Sequence, residues 1–127
     1  MKRKHLIKIY VKGVNNPFLK TSKYVITLVL KNYPTPIIYE QKVEYFHRTY
    51  RKNYCLLMGI SKALAMVRKD KLYNVNIYIS NEELYKELNF LSHVLTNNDI
   101  KLTLECIRKY HKLKDKHKLN ILLEEQI

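Results

Sequence analysis

The chain has 127 residues, 46% hydrophobic and 28% charged, with 24 Lys plus Arg against 11 Asp plus Glu and a net charge of +13. That length suits a single domain (1–127) with one packed core, and the apolar fraction excludes a disordered chain. No apolar run reaches the roughly 20 residues of a membrane span, and Met1-Lys2-Arg3-Lys4-His5 leads into no signal-peptide core, so no membrane contact is expected.

Leu6 to Lys12 alternates Ile7, Ile9 and Val11 with Lys8, Tyr10 and Lys12, which predicts a strand ended by Gly13 and Val14-Asn15-Asn16-Pro17. Tyr24–Leu30 and Ile37–Phe46 predict two more strands, and three in succession read as an antiparallel meander. The period then changes: Leu56, Gly59, Ile60, Ala63, Leu64 and Val67 recur at helical spacing, with Cys55, Met58 and Met66 on another side. Val75–Ile79 predicts a fourth strand running into Ser80-Asn81-Glu82-Glu83, a capping box for a helix that buries Leu84, Leu88 and Leu91. Ile100, Leu102, Leu104 and Cys106 alternate as a fifth strand, and Lys116 to Leu123 closes the chain as a helix. The predicted order is β-β-β-α-β-α-β-α, an α/β fold with a mixed five-stranded sheet and helices packed on it. Cys55 and Cys106 lie in apolar stretches without metal-ligand spacing and fit buried thiols of a reducing, cytoplasmic setting.

These segments, in this order, resemble the ribonuclease H-like family across nearly the whole chain. Ile9-Tyr10-Val11-Lys12-Gly13 is similar to the family's first strand, which ends in Asp-Gly, and Asn53 to Ile60 to the start of its first helix. Ile77-Tyr78-Ile79-Ser80-Asn81 resembles its fourth strand. Ile107-Arg108-Lys109-Tyr110-His111 resembles the end of its fifth, with the loop His, and Lys116–Leu123, more loosely, its last helix. The resemblance implies a fold that cuts RNA in a hybrid duplex with two Mg²⁺ ions held by carboxylates, because hard cations about 4 Å apart need several negative oxygens. At the matching positions stand Lys12, Cys55, Ser80 and Asn120, none of them a carboxylate. The expectation is therefore a member that has lost hydrolysis, not an enzyme, with no metal and no cofactor. Glu40, Glu44, Glu82, Glu83 and Glu105 are the acids available for a relocated metal site, the least favoured alternative.

The charge points to nucleic acid as partner, although lysine far outnumbers arginine, a bias that an AT-rich genome supplies by itself. Lys12, Arg48, Arg51, Lys52, Arg108, Lys109, His111, Lys112 and Lys114 are the candidate phosphate contacts, Lys12 standing where the family holds metal. Each has a plain alternative: Lys12 as a solvated strand end, 47–52 as an exposed basic loop, 111–118 as a charged surface run. Ser80 reads first as a helix cap, Cys55 as a small hydrophobe, and the tyrosines as sheet packing. No Gly-rich phosphate loop, zinc spacing or nucleophile elbow occurs, so no small-molecule substrate is indicated. Binding of a duplex or RNA–DNA hybrid through a basic surface is the first expectation. A protein-interaction or decoy domain of a mobile element or virus, with a protein partner, is the second.

Overall fold

The computed structural model describes residues 6–30, 33–46, 53–67, 74–91, 99–115 and 117–124. The opening alternation does build a meander: β1 (Leu6–Asn16) pairs antiparallel with β2 (Thr21–Leu30), and β2 with β3 (Ile37–Val43). After α1 (Tyr54–Ala65), β4 (Asn74–Ile79) lies parallel to β1, in register from Leu6↔Asn74 to Tyr10↔Tyr78. Two helices follow, α2 (Glu82–Leu88) and α3 (Ile100–Lys114), and β5 (Lys118–Leu123) then pairs parallel with β4. The strand order is β3-β2-β1-β4-β5, a mixed five-stranded sheet.

The element order is thus β-β-β-α-β-α-α-β, and the last two predicted elements change type. Residues 100–107, expected as a strand, are the first half of α3. Its buried residues are Thr103, Cys106, Ile107 and Tyr110, a spacing of three and four, while Ile100 and Leu104, two members of the apparent alternation, are about half exposed. Two of the four buried residues are polar and are satisfied inside. Thr103 Oγ1 donates to the Asp99 carbonyl (2.8 Å), and Tyr110 Oη donates to Asn89 Oδ1 (3.1 Å) and accepts from Ile121 N (3.2 Å). Residues 118–123, expected as a helix, form β5, whose alternation buries Leu119 and Ile121 in register with Val75 and Ile77. Asn120, matched by resemblance to a helical metal ligand, therefore sits on a strand and donates to Asn76 Oδ1 (3.3 Å).

The core is one cluster between the helices and one face of the sheet: Ile9, Val11, Tyr24 and Ile26 from the meander, Val75, Ile77 and Ile79 from β4, and Leu119 and Ile121 from β5. From the helices come Leu57, Ile60, Ala63 and Leu64, Leu84 and Leu88, and Cys106 and Tyr110. On α1 the fully buried leucine is Leu57 where Leu56 was expected, and Leu91, beyond α2, is exposed. Gly59 is required by close approach: a Cβ there would lie 2.8 Å from Val11 Cγ1 and 2.9 Å from Tyr24 Cβ. On the sheet face away from the core, Tyr10 and Tyr78 stack with ring centroids 4.9 Å apart, in keeping with sheet packing. No described helix is long and apolar enough to cross a membrane.

Candidate functional site

In an open sheet, ligands bind outside the carboxyl ends of strands at the point where the chain connections diverge. Here β1 continues to β2 on one side while β4 continues, through α2 and α3, to β5 on the other. β1 runs on past its last partner on β4, Tyr78, and the first turn of α1 meets it there. The meeting is tight. A Cβ on Gly13 would lie 2.7 Å from Cys55 Sγ and 2.8 Å from Leu56 N, so only glycine lets the helix start against the strand.

The result is a cleft of about 430 Å³ lined by Lys12, Gly13, Val14, Asn15, Asn53, Cys55, Leu56, Ser80 and Asn81. Three positions singled out by resemblance, Lys12, Cys55 and Ser80, therefore do converge. The neighbouring amides Asn15, Asn53 and Asn81 were not foreseen as site residues. Their signal lay in the sequence, since each is within three positions of a matched residue.

Asn81 rather than Ser80 caps α2: Asn81 Oδ1 accepts from Leu84 N (3.0 Å), and Ser80 is exposed. The Asn81 amide also donates to Asn53 Oδ1 (3.0 Å), tying the start of α2 to the start of α1. Asn53 is buried, and its Nδ2 has no hydrogen-bond partner among the described residues. α1 has no side-chain cap and no acid in its own first turn, so its N-terminal N–H groups and the positive end of its dipole bear on the cleft; the nearest helical acids are Glu82 and Glu83, which follow Asn81 in the first turn of α2. Burial raises the pKa of the Cys55 thiol, which keeps it protonated and unreactive near neutral pH.

This donor set does not fit a pair of magnesium ions. It offers an ammonium, a protonated thiol, a hydroxyl and three amides, and no carboxylate among the described lining residues. No group of three or more His, Cys, Asp or Glu suited to a metal occurs among the described residues. Glu124, not foreseen as a site residue, follows β5; its backbone N donates to the Ile79 carbonyl (2.6 Å), and one of its carboxylate oxygens is buried with no hydrogen-bond partner among the described residues. It does not line the cleft.

The other predicted contacts fall elsewhere. Arg108, Lys109 and Lys112 border a second cavity of about 670 Å³ with Leu64, Ala65, Val67, Leu113 and the buried His117. Nine residues of α1 separate Leu56 from Ala65, so this cavity lies about 13 Å along the helix from the cleft. Lys109 is engaged by Glu105 (3.2 Å) and Ser61 (3.0 Å), and Lys114 lies 5.4 Å over the Tyr110 ring. His111, expected in a loop, is on α3, within 3.0 Å of the Leu88 carbonyl and stacked on Phe90 at 4.3 Å. Lys12 and the α3 cations thus do not form one pocket. Arg48, Arg51 and Lys52 lie outside the described residues.

No protein-family model and no curated protein matches the chain. Solved structures do. RNase H1 from the halophilic archaeon Halobacterium salinarum superposes with a TM-score of 0.69 at 11% identity, covering 96% of this chain and 87% of that one. LC11-RNase H1, isolated from compost by a metagenomic approach, gives 0.72 at 12% identity, covering 94% and 84%. The same enzyme in complex with an RNA/DNA hybrid gives 0.65 at 13% identity, covering 94% and 86%. The fold is RNase H-like. The expectation that the chain is not an enzyme is overturned here: its structural neighbours are RNase H enzymes, and the missing carboxylates of one cleft do not establish that hydrolysis was lost.

Proposed function

We propose that the chain binds nucleic acid, an RNA–DNA hybrid or another A-form duplex, by seating a backbone phosphate in the cleft between Lys12 and the start of α1. One observation carries this reading: the cleft combines a lysine, a helix N-terminus with no side-chain cap and no acid in its first turn, and neutral hydrogen-bonding side chains, with no carboxylate among its described lining residues. The fold agrees with it, because an RNase H1 of this fold has been solved with an RNA/DNA hybrid. The net charge of +13 adds sequence-independent attraction for the rest of the backbone. Arg108 and Lys112, farther along the helical layer, and Arg48, Arg51 and Lys52, just before α1, supply further salt-sensitive contacts with neighbouring phosphates.

The test is fluorescence anisotropy with labelled hybrid, duplex RNA, duplex DNA and single strands across a salt titration. Hybrid and RNA duplex are expected to bind more tightly than B-form DNA, because recognition is of backbone shape, and affinity should fall steeply between 50 and 200 mM salt. Affinity that stays flat with salt, or a stable protein complex that covers the cleft and excludes every nucleic acid, overturns the reading. Incubating labelled hybrid with Mg²⁺ or Mn²⁺ and a chelator control reads hydrolysis separately from binding.

A further inference from the structure

The β1–β2 turn presents two adjacent apolar side chains almost wholly to solvent: Phe18 is 96% exposed and Leu19 71%. Isolated exposed apolar residues need no explanation, but these two sit on a stiff support. Asn16 Oδ1 accepts from both Phe18 N (3.1 Å) and Leu19 N (3.2 Å), which fixes the turn locally. Pro17 restricts φ ahead of them, and Lys20 closes the turn in the left-handed region at φ 51°. Behind the turn, Ser22 Oγ donates to Asn15 Oδ1 across the hairpin.

The same hairpin forms one wall of the cleft, since Lys12, Gly13, Val14 and Asn15 all line it. Four residues of extended strand separate Lys12 from Asn16, so the apolar tip projects about 13 Å beyond the lysine. A duplex phosphate held at Lys12 has its flanking groove within that reach, and the minor groove of an A-form duplex is wide and shallow enough to admit side chains. Apolar side chains entering a minor groove contact base and sugar surfaces that a lysine cannot use.

We propose that Phe18 and Leu19 make an apolar contact with the bases of the bound nucleic acid, in the groove beside the phosphate seated at Lys12. This rests on the nucleic-acid reading above and assigns it a non-electrostatic component. The contact tolerates any sequence, because the sugar surfaces that line a minor groove are the same whatever the bases, and it contributes affinity that salt does not screen.

The chain contains no tryptophan, so Phe18→Trp installs a single indole at the tip. Binding of labelled hybrid is followed by anisotropy, and the indole emission is followed with unlabelled hybrid. Binding by Phe18→Trp should quench and blue-shift that emission. The Phe18→Ala/Leu19→Ala double variant should bind about tenfold more weakly with an unchanged slope of log affinity against log salt. Both positions are exposed, so its thermal melting should match the parent protein. Hybrid bound by anisotropy with no change in indole emission, together with wild-type affinity in the double variant, overturns the proposal and leaves the phosphate site standing. Absence of any binding by the unaltered chain overturns the nucleic-acid reading itself, and this contact with it.

Discussion

Lys12 is the one cation among the described residues that line the cleft, so Lys12→Gln isolates its role. A phosphate oxygen about 4 Å from the ammonium interacts by ~1 kcal/mol in a water-like dielectric and ~4 kcal/mol at an effective constant of 20. Lys12 is exposed, which puts the value near the lower limit. A loss of ~1–2 kcal/mol corresponds to affinity reduced about 5- to 30-fold. One phosphate contact also leaves a signature that general charge does not: the slope of log affinity against log salt should shrink by about 0.9 for a duplex. Lys118→Gln is the control, an exposed lysine opening β5 at the opposite end of the sheet, and should change affinity less than twofold. The assay is the anisotropy titration at four or five salt concentrations with all three proteins. Equal weakening by both substitutions would refute the reasoning, because it would mean that net charge alone holds the nucleic acid.

Three further outcomes are expected. Gly13→Ala should cost about 1–3 kcal/mol in urea unfolding and weaken binding, because its Cβ would meet the backbone of Leu56 at 2.8 Å, where no rotamer change relieves the contact. Burial pushes the Cys106 thiol up to about 12; it stays protonated in the folded chain while the unfolded chain ionises from about pH 9. The unfolded state then binds fewer protons, so the contribution of this thiol to stability should be constant below pH 9 and fall through pH 9–12 by up to ~1.4 kcal/mol per pH unit, a slope that Cys106→Ala removes from the total. Asn81→Asp keeps the acceptor that caps α2 but loses the donor to Asn53 and puts a carboxylate in the cleft, so binding should fall more than unfolding stability does. Parallel melting and anisotropy curves check it; undiminished affinity would show that phosphate does not enter the cleft.

β1, β4 and α2 were legible because their buried residues are mostly apolar and the residues between them mostly polar; α1 showed through the helical recurrence of Ile60, Ala63 and Leu64, and β3, none of whose residues is buried, through its alternation of apolar and charged side chains. α3 and β5 misled for physical reasons. The buried stripe of α3 includes Thr103 and Tyr110, whose polar atoms are satisfied inside by Asp99, Asn89 and Ile121, while Ile100 and Leu104 face solvent. Hydropathy assigns those four residues to the wrong sides. β5 carries Leu122 and Leu123 beside Ile121, and three consecutive apolar residues have no period to read. β1 runs through Gly13 to Asn16 because that glycine answers to the close approach of α1, a demand made forty residues away in the chain and invisible locally. The cleft positions Lys12, Cys55 and Ser80 were found through resemblance alone. Asn53 and Asn81 stand next to matched positions in the sequence, but the hydrogen bond by which they join two helix starts is visible only in the fold.

Where the cleft lies and what it can hold are set by different residues. Its location follows from the strand order, from β4 ending where β1 continues, and from Gly13 and Gly59 letting α1 lie against β1 and β2. Neither glycine admits even a methyl group without displacing core or backbone atoms, so those positions are held by packing. Lys12, within β1, and Ser80, just past β4, are exposed, and substitution there disturbs no core contact. The backbone of this fold therefore constrains the chemistry of its own crevice only weakly. What the lining residues set is the sign of the field at the start of α1. Acids there would neutralise the positive end of the helix dipole; Lys12 there has the same sign as the helix N-terminus, which is the arrangement that the proposed phosphate site rests on.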